Sequence, residues 1–66
     1  MRIRIVRGDA SGALVLRKGA TAADALSELG LHPDAYIVMM AERPIPLTRV
    51  LEEGQEIRIV KVASGG

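Results

Sequence analysis

The chain contains no cysteine, tryptophan or phenylalanine, and its 66 residues include a single tyrosine, Tyr36, and a single histidine, His32. Without cysteine there can be no disulfide, thiolate metal site, iron–sulfur cluster or cysteine nucleophile, and one histidine cannot build a histidine-rich metal centre. Redox and metal chemistry are thereby excluded, and no bound metal or other cofactor is expected. One aromatic ring offers no platform for stacking bases. Nine Lys+Arg against eight Asp+Glu give a formal net charge of +1, so the basic field of a direct nucleic-acid reader is also missing. Asparagine is absent and glutamine occurs only at Gln55, a depletion of heat-labile amides that points to a warm source, although arginine outnumbers lysine here. No apolar run approaches the roughly 18 residues of a membrane span. Met1-Arg2-Ile3-Arg4-Ile5 alternates charge with aliphatic side chains instead of opening a signal-peptide block. The expectation is a soluble, cytoplasmic monomer that does not engage membranes.

What is present is a core in the making. Apolar residues make up 48% of the chain and charged ones 26%, the balance of a globular domain and not of a disordered tail. At less than half of an ordinary ~150-residue domain, one small module is the ceiling. It has no room for an internal ligand cavity, so function must come from its surface or its ends.

Met1, Ile3 and Ile5 alternate with Arg2, Arg4 and Val6, a period of two that predicts an amphipathic strand. Gly8 to Gly12 reads as a five-residue link, after which Ala13 to Arg17 runs back as a second strand with Leu14 and Leu16 inward. Thr21-Ala22-Ala23-Asp24 places a hydroxyl at a helix N-cap and a carboxylate three residues on, a shortened capping box. Ala22, Ala25, Leu26 and Leu29 recur at spacings of three and four, and Gly30 suits the residue after the C-cap, which predicts a helix over 22–29. Pro33 prevents its continuation, and His32 reads as an exposed loop residue. Tyr36 to Met40 predicts a third strand, buried at least partly on both faces. Ile45 and Leu47, bracketed by Pro44 and Pro46, allow only a short edge strand. Glu56 to Val62 predicts the last strand, with Ile57 and Ile59 inward and Arg58, Val60 and Val62 outward. The fold class is therefore α+β, a mixed sheet of four to five strands with one helix on one face, the β-grasp arrangement of 1–62. Ala63-Ser64-Gly65-Gly66 is expected to be a flexible tail.

Several segments carry a resemblance over the whole chain. They are Gly19-Ala20-Thr21 opening the helix, Leu29-Gly30-Leu31 closing it, Arg43-Pro44-Ile45-Pro46, Glu53-Gly54-Gln55-Glu56-Ile57, and Val60-Lys61-Val62-Ala63-Ser64-Gly65-Gly66. With the element order, these make the chain resemble the ubiquitin-like sulfur carriers and small archaeal modifiers. That group includes the thiamine sulfur carrier, the molybdopterin synthase small subunit and the ubiquitin-related modifier. The short length, and the lack of the bulky aromatic that often precedes the glycines in molybdopterin synthase subunits, argue against that branch. Where relatives usually turn with Asn-Gly or Asp-Gly between the third and fourth strands, this chain has Ala41-Glu42. Neither residue favours a positive φ, so a wider hairpin is expected.

The resemblance implies that Gly66 is adenylated on its carboxylate by a ubiquitin-activating-type adenylyltransferase. That partner uses ATP and Mg, and the acyl group then passes to the sulfur of a persulfide donor. Glycines at 65 and 66 carry no side chain to block passage into an enzyme crevice and accept the φ/ψ it imposes, and four extended residues reach about 13 Å. Acceptors would be a tRNA thiolase, a thiazole synthase or lysines of target proteins. The chain has no nucleophile with an activating partner and no phosphate-binding glycine loop, so it reads as a substrate and carrier and not as an enzyme. By strand order, Ile37, Met39, Arg58, Val60 and Val62 would form the partner-binding surface. A one-residue shift of the third strand would instead put Met39 in the core and Met40 outward. Arg2, Arg4, Arg7 and Arg58 read as a solvated, salt-bridging face, with a nucleic-acid site as the alternative. Two other functions fit the residues: a protein modifier with no sulfur-carrier role, and a β-grasp interaction module whose tail is incidental.

Overall fold

The computed structural model describes residues 1–62. Five strands, β1 (Arg2–Arg7), β2 (Ala10–Val15), β3 (Tyr36–Met40), β4 (Arg43–Pro44) and β5 (Glu56–Lys61), form one sheet in the order β2-β1-β5-β3-β4, and the helix α1 (Ala22–Glu28) lies between β2 and β3 in the chain. β1 runs parallel to β5 and the other neighbours pair antiparallel. This is the mixed sheet and single helix of a β-grasp.

The period-two pattern places one face of every long strand in the core. Ile3, Ile5, Val38, Ile57 and Ile59 from the sheet meet Ala22, Ala25 and Leu26 from the helix, and Leu16, Ala20 and Leu51 close the ends. Each of the larger aliphatic side chains contributes about 1.5–3 kcal/mol by leaving water. The alanines contribute less but let the helix backbone approach a sheet of branched side chains, which a domain this small needs.

Thr21 caps α1 as its residue type predicts. Its hydroxyl accepts from the Asp24 N–H at 3.3 Å, and the Asp24 carboxylate accepts from the Thr21 N–H at 2.8 Å. That backbone N–H, opposed in part by desolvation and assisted by the Thr21 hydroxyl and the Arg17 guanidinium, holds the Asp24 carboxyl below its ordinary value. Two further N–H groups of the first turn are satisfied from a distance. Ala22 donates to the Arg49 carbonyl and Ala23 to the Leu47 carbonyl, both at 3.0 Å, while Leu51 donates back to Ala20 at 2.8 Å. The 47–51 segment is thus tied to the helix start, which nothing in its sequence announces.

Three sequence expectations are corrected. The β1–β2 link is not five residues long: Arg7 pairs directly with Ala10, so Gly8-Asp9 is a two-residue turn and β2 begins at Ala10. Gly8 supplies φ +56°, the left-handed first residue that this turn class requires. The β3–β4 connection is also tight, because Met40 pairs with Arg43. Ala41 and Glu42 accordingly take φ +51° and +65°, left-handed values that cost a residue with a Cβ roughly 1–2 kcal/mol each. Sheet pairing outweighs this local preference, helped by the Ile45 N–H, which donates to Val38 at 2.9 Å. The edge strand therefore sits at Arg43–Pro44 instead of Ile45–Leu47, whose aliphatic side chains turn in half-buried against the core.

Candidate functional site: the helix-free face

The strand pairings lay the outward side chains in rows across the sheet. Pairing of Val6 with both Ser11 and Arg58, of Arg58 with Met39, and of Met39 with Pro44 makes one continuous row. One step toward the end of β5, Val60 pairs with Ile37. One step back, Arg4 pairs with Ala13 and Glu56, and its guanidinium meets the Glu56 carboxylate at 3.3 Å, an exposed pair worth at most about 1 kcal/mol.

Every partner-surface residue expected from the sequence within residues 1–62 comes to this face. Ile37, Val60 and Val62 are 41%, 39% and 37% exposed, Arg58 is exposed and Met39 half-buried. Val38 is fully buried between Ile37 and Met39, which fixes the register of β3: Met39 faces out, and Met40 packs against the core from the other side. Arg58, between Val6 and Met39, has no carboxylate partner among the described residues. Its methylene stem can lie on these apolar neighbours while the guanidinium stays in water. The result is a small apolar surface with one unpaired cation at its centre and the Arg4–Glu56 pair at its margin. Beyond Met39, an open cleft of about 500 Å³ is lined by Met39, Ala41, Glu42, Glu56 and Arg58. The tight Ala41-Glu42 turn thus borders the face, a role that sequence reading missed because it expected a wider hairpin.

The last described residue, Val62, is anchored by its N–H to the Ala35 carbonyl at 2.8 Å. Gly65 and Gly66, and with them the expected tail over 63–66, lie outside the described residues. Among the described residues no helix is long and apolar enough to cross a membrane.

Comparison with known proteins adds a family to this geometry. Residues 1–63 match the family of small archaeal modifier protein 2. The chain belongs to that family. An uncharacterized protein of Archaeoglobus fulgidus is 32% identical over 66 residues, the match covering 100% of this chain and 97% of that protein. Among solved structures, SAMP1 from Haloferax volcanii superposes with a TM-score of 0.75 at 20% identity, covering 100% of both chains. The ubiquitin of Caldiarchaeum subterraneum superposes with a TM-score of 0.72 at 20% identity, covering 100% of this chain and 98% of that one. At such identities these structures speak for the ubiquitin-like β-grasp fold. The family match speaks for a ubiquitin-like modifier of the small archaeal type.

Proposed function

We propose that this small archaeal modifier is a sulfur carrier activated at Gly66. The observation that carries the reading is the family match over residues 1–63, joined to the Gly65-Gly66 pair that follows it in the sequence. In this reading a cytoplasmic adenylyltransferase docks on the helix-free face through Ile37, Met39, Val60 and Val62, with Arg58 offered to a carboxylate of the partner. Residues 63–66 then reach the enzyme's nucleotide site. The Gly66 carboxylate attacks the α-phosphate of Mg-bound ATP, expelling pyrophosphate and leaving an acyl-adenylate. A persulfide sulfur next attacks the acyl carbon and AMP departs. Reductive cleavage of the sulfur–sulfur bond by a thiol leaves the Gly66 thiocarboxylate, which delivers sulfur for tRNA thiolation or thiamine synthesis.

The chain's own part is to be held and threaded. In this reading the catalytic groups belong to the partner, and the chain serves as its substrate and carrier and not as an enzyme. The modifier family favours a second use of the same adenylate, attack by a lysine amine of a target protein to form an isopeptide bond. Intact mass separates the two. After incubation with the activating enzyme, ATP, Mg and a persulfide donor, the carrier reading expects the chain to gain one sulfur-for-oxygen increment. Conjugates without any such species would leave the modifier reading alone.

A further inference from the structure

The two edges of the sheet are defended very differently. β4 offers only Arg43–Pro44 and is followed by Pro46, a short, charged, proline-blunted edge of the kind that resists strand addition. β2 offers six residues, Ala10-Ser11-Gly12-Ala13-Leu14-Val15, with no charge and no proline. The direction of its backbone groups follows from the pairing. Met1 and Leu16 exchange both bonds, Leu16 N–H to Met1 O at 2.8 Å and the Met1 ammonium to Leu16 O at 2.6 Å. Antiparallel ladders alternate, so Leu14, Gly12 and Ala10 bond to β1, and the N–H and C=O of Ser11, Ala13 and Val15 point away from the sheet.

Gly12 adds a second observation. The other glycines of residues 1–62 all have φ between +56° and +90°, whereas Gly12 has no positive φ, and a Cβ built on it would meet nothing within 4 Å. The fold does not need a glycine there. Gly12 pairs with inward-facing Ile5, so the missing side chain leaves an apolar notch of about 170 Å³ beneath the edge, lined by Ile5, Ala10, Gly12, Ala13 and Leu29 among others.

We propose that the β2 edge pairs with the β2 edge of a second copy, antiparallel about a two-fold axis at Ala13, to make one continuous sheet. Only this register pairs all three outward-pointing residues on both strands: Ser11 with Val15, Ala13 with Ala13, and Val15 with Ser11. The same register sets Leu14 of the second copy opposite Gly12, over the notch, and places Ser11 of the second copy beside Val15, which is 72% exposed in a single chain. It also brings Asp9 of one copy opposite Arg17 of the other at both ends, a second carboxylate for a guanidinium that already meets Asp24 of its own chain at 3.1 Å. Small residues at the centre, a side chain for the notch and complementary ends make the edge self-complementary, as a closed two-fold contact requires. Ile37, Met39 and Val60 lie on the far side of β1 from this edge, so pairing leaves the docking face open. The proposal does not depend on the chemistry of Gly66.

The test is sedimentation equilibrium of the whole chain from about 10 μM to about 1 mM, the range in which interfaces smaller than the standard size associate, with amide exchange read at Ser11, Ala13 and Val15. The apparent mass is expected to rise from 7.0 kDa toward twice that value, with exchange at those three amides slowing in step. Ala13→Glu puts like charges face to face across the axis while remaining exposed beside Arg4 in the single chain. Gly12→Leu fills the notch from within. Each is expected to abolish the rise in mass without lowering the melting temperature. A mass fixed at 7.0 kDa throughout would overturn the proposal and leave the edge to an extended segment of another protein. Association that survives both substitutions would overturn it equally, by placing the contact elsewhere.

Discussion

Ile59 and Val60 are adjacent on β5 and differ by one methylene, yet Ile59 is 4% exposed and Val60 39%. The alternation of the strand turns one into the helix-covered core and leaves the other on the open face with Ile37, Met39 and Val62. The inner face is fully explained by folding: Ile3, Ile5, Val38, Ile57 and Ile59 are what α1 packs against. The outer face is not. Its aliphatic residues give the isolated domain little, and water could be met there by polar side chains at no cost to the core. Apolar groups that folding does not use are available to a partner, and this difference between the faces underlies the docking assignment.

The comparison can be broken by substitution. The largest effect belongs to the inner face: Ile59→Ala should lower unfolding free energy by about 2–5 kcal/mol in denaturant titrations. A loss near zero would mean that the faces are assigned the wrong way round. Next comes the turn bordering the outer face. Ala41→Asn together with Glu42→Gly relieves two left-handed residues and should raise stability by about 1–3 kcal/mol, with the β3–β4 amide pattern retained. Destabilisation would show that the turn is not the tight one described here.

Thr21→Ala should cost about 1 kcal/mol by uncapping α1. Its partner Asp24 has a pH signature. Because the folded carboxyl titrates below its ordinary value, its contribution is present above about pH 4 and is lost as pH falls through the lower folded value. Thermal scans should show the melting temperature dropping below about pH 4, and Asp24→Asn should lower stability at neutral pH and remove part of that drop. An unchanged acid limb would contradict the hydrogen bond from the Thr21 N–H. The smallest stability effect belongs to Val60→Asp, under about 0.5 kcal/mol because the new carboxylate stays hydrated. The same change should weaken binding to the activating enzyme by more than about 1 kcal/mol. A folded variant that binds as tightly as the parent would remove this face from the docking account.

Much of the fold was legible because local and global preferences agree. The alternation of Met1–Val6 and Glu56–Val62, the Thr21–Asp24 cap and the stop at Gly30 and Pro33 each point to the structure found. Reading failed where tertiary pairing overrode residue type. Ser11 and Gly12 look like turn residues, yet Ile3 and Ile5 in β1 and Leu14 and Leu16 in the returning chain draw them into β2. Ala41 and Glu42 dislike positive φ, yet the pairing of β3 with β4 imposes it. The tie between Leu47–Leu51 and the helix start runs through backbone carbonyls, which side-chain identity does not encode. The candidate surface was legible as a set of residues, since Val38 and Ile59 inward fix Ile37, Met39 and Val60 outward. Its bordering turn was not, because Ala41 and Glu42 carry no residue-type preference for the positive φ that the Met40–Arg43 pairing imposes.

The proposed activation at Gly66 can be read from ATP-dependent pyrophosphate release in the presence of the proposed adenylyltransferase. The whole chain is compared with one lacking Gly66, and melting temperature serves as the folding control. Release that depends on the whole chain and vanishes on removing Gly66, with the two melting temperatures matching, is the predicted result. Undiminished release by the shortened chain would contradict the account.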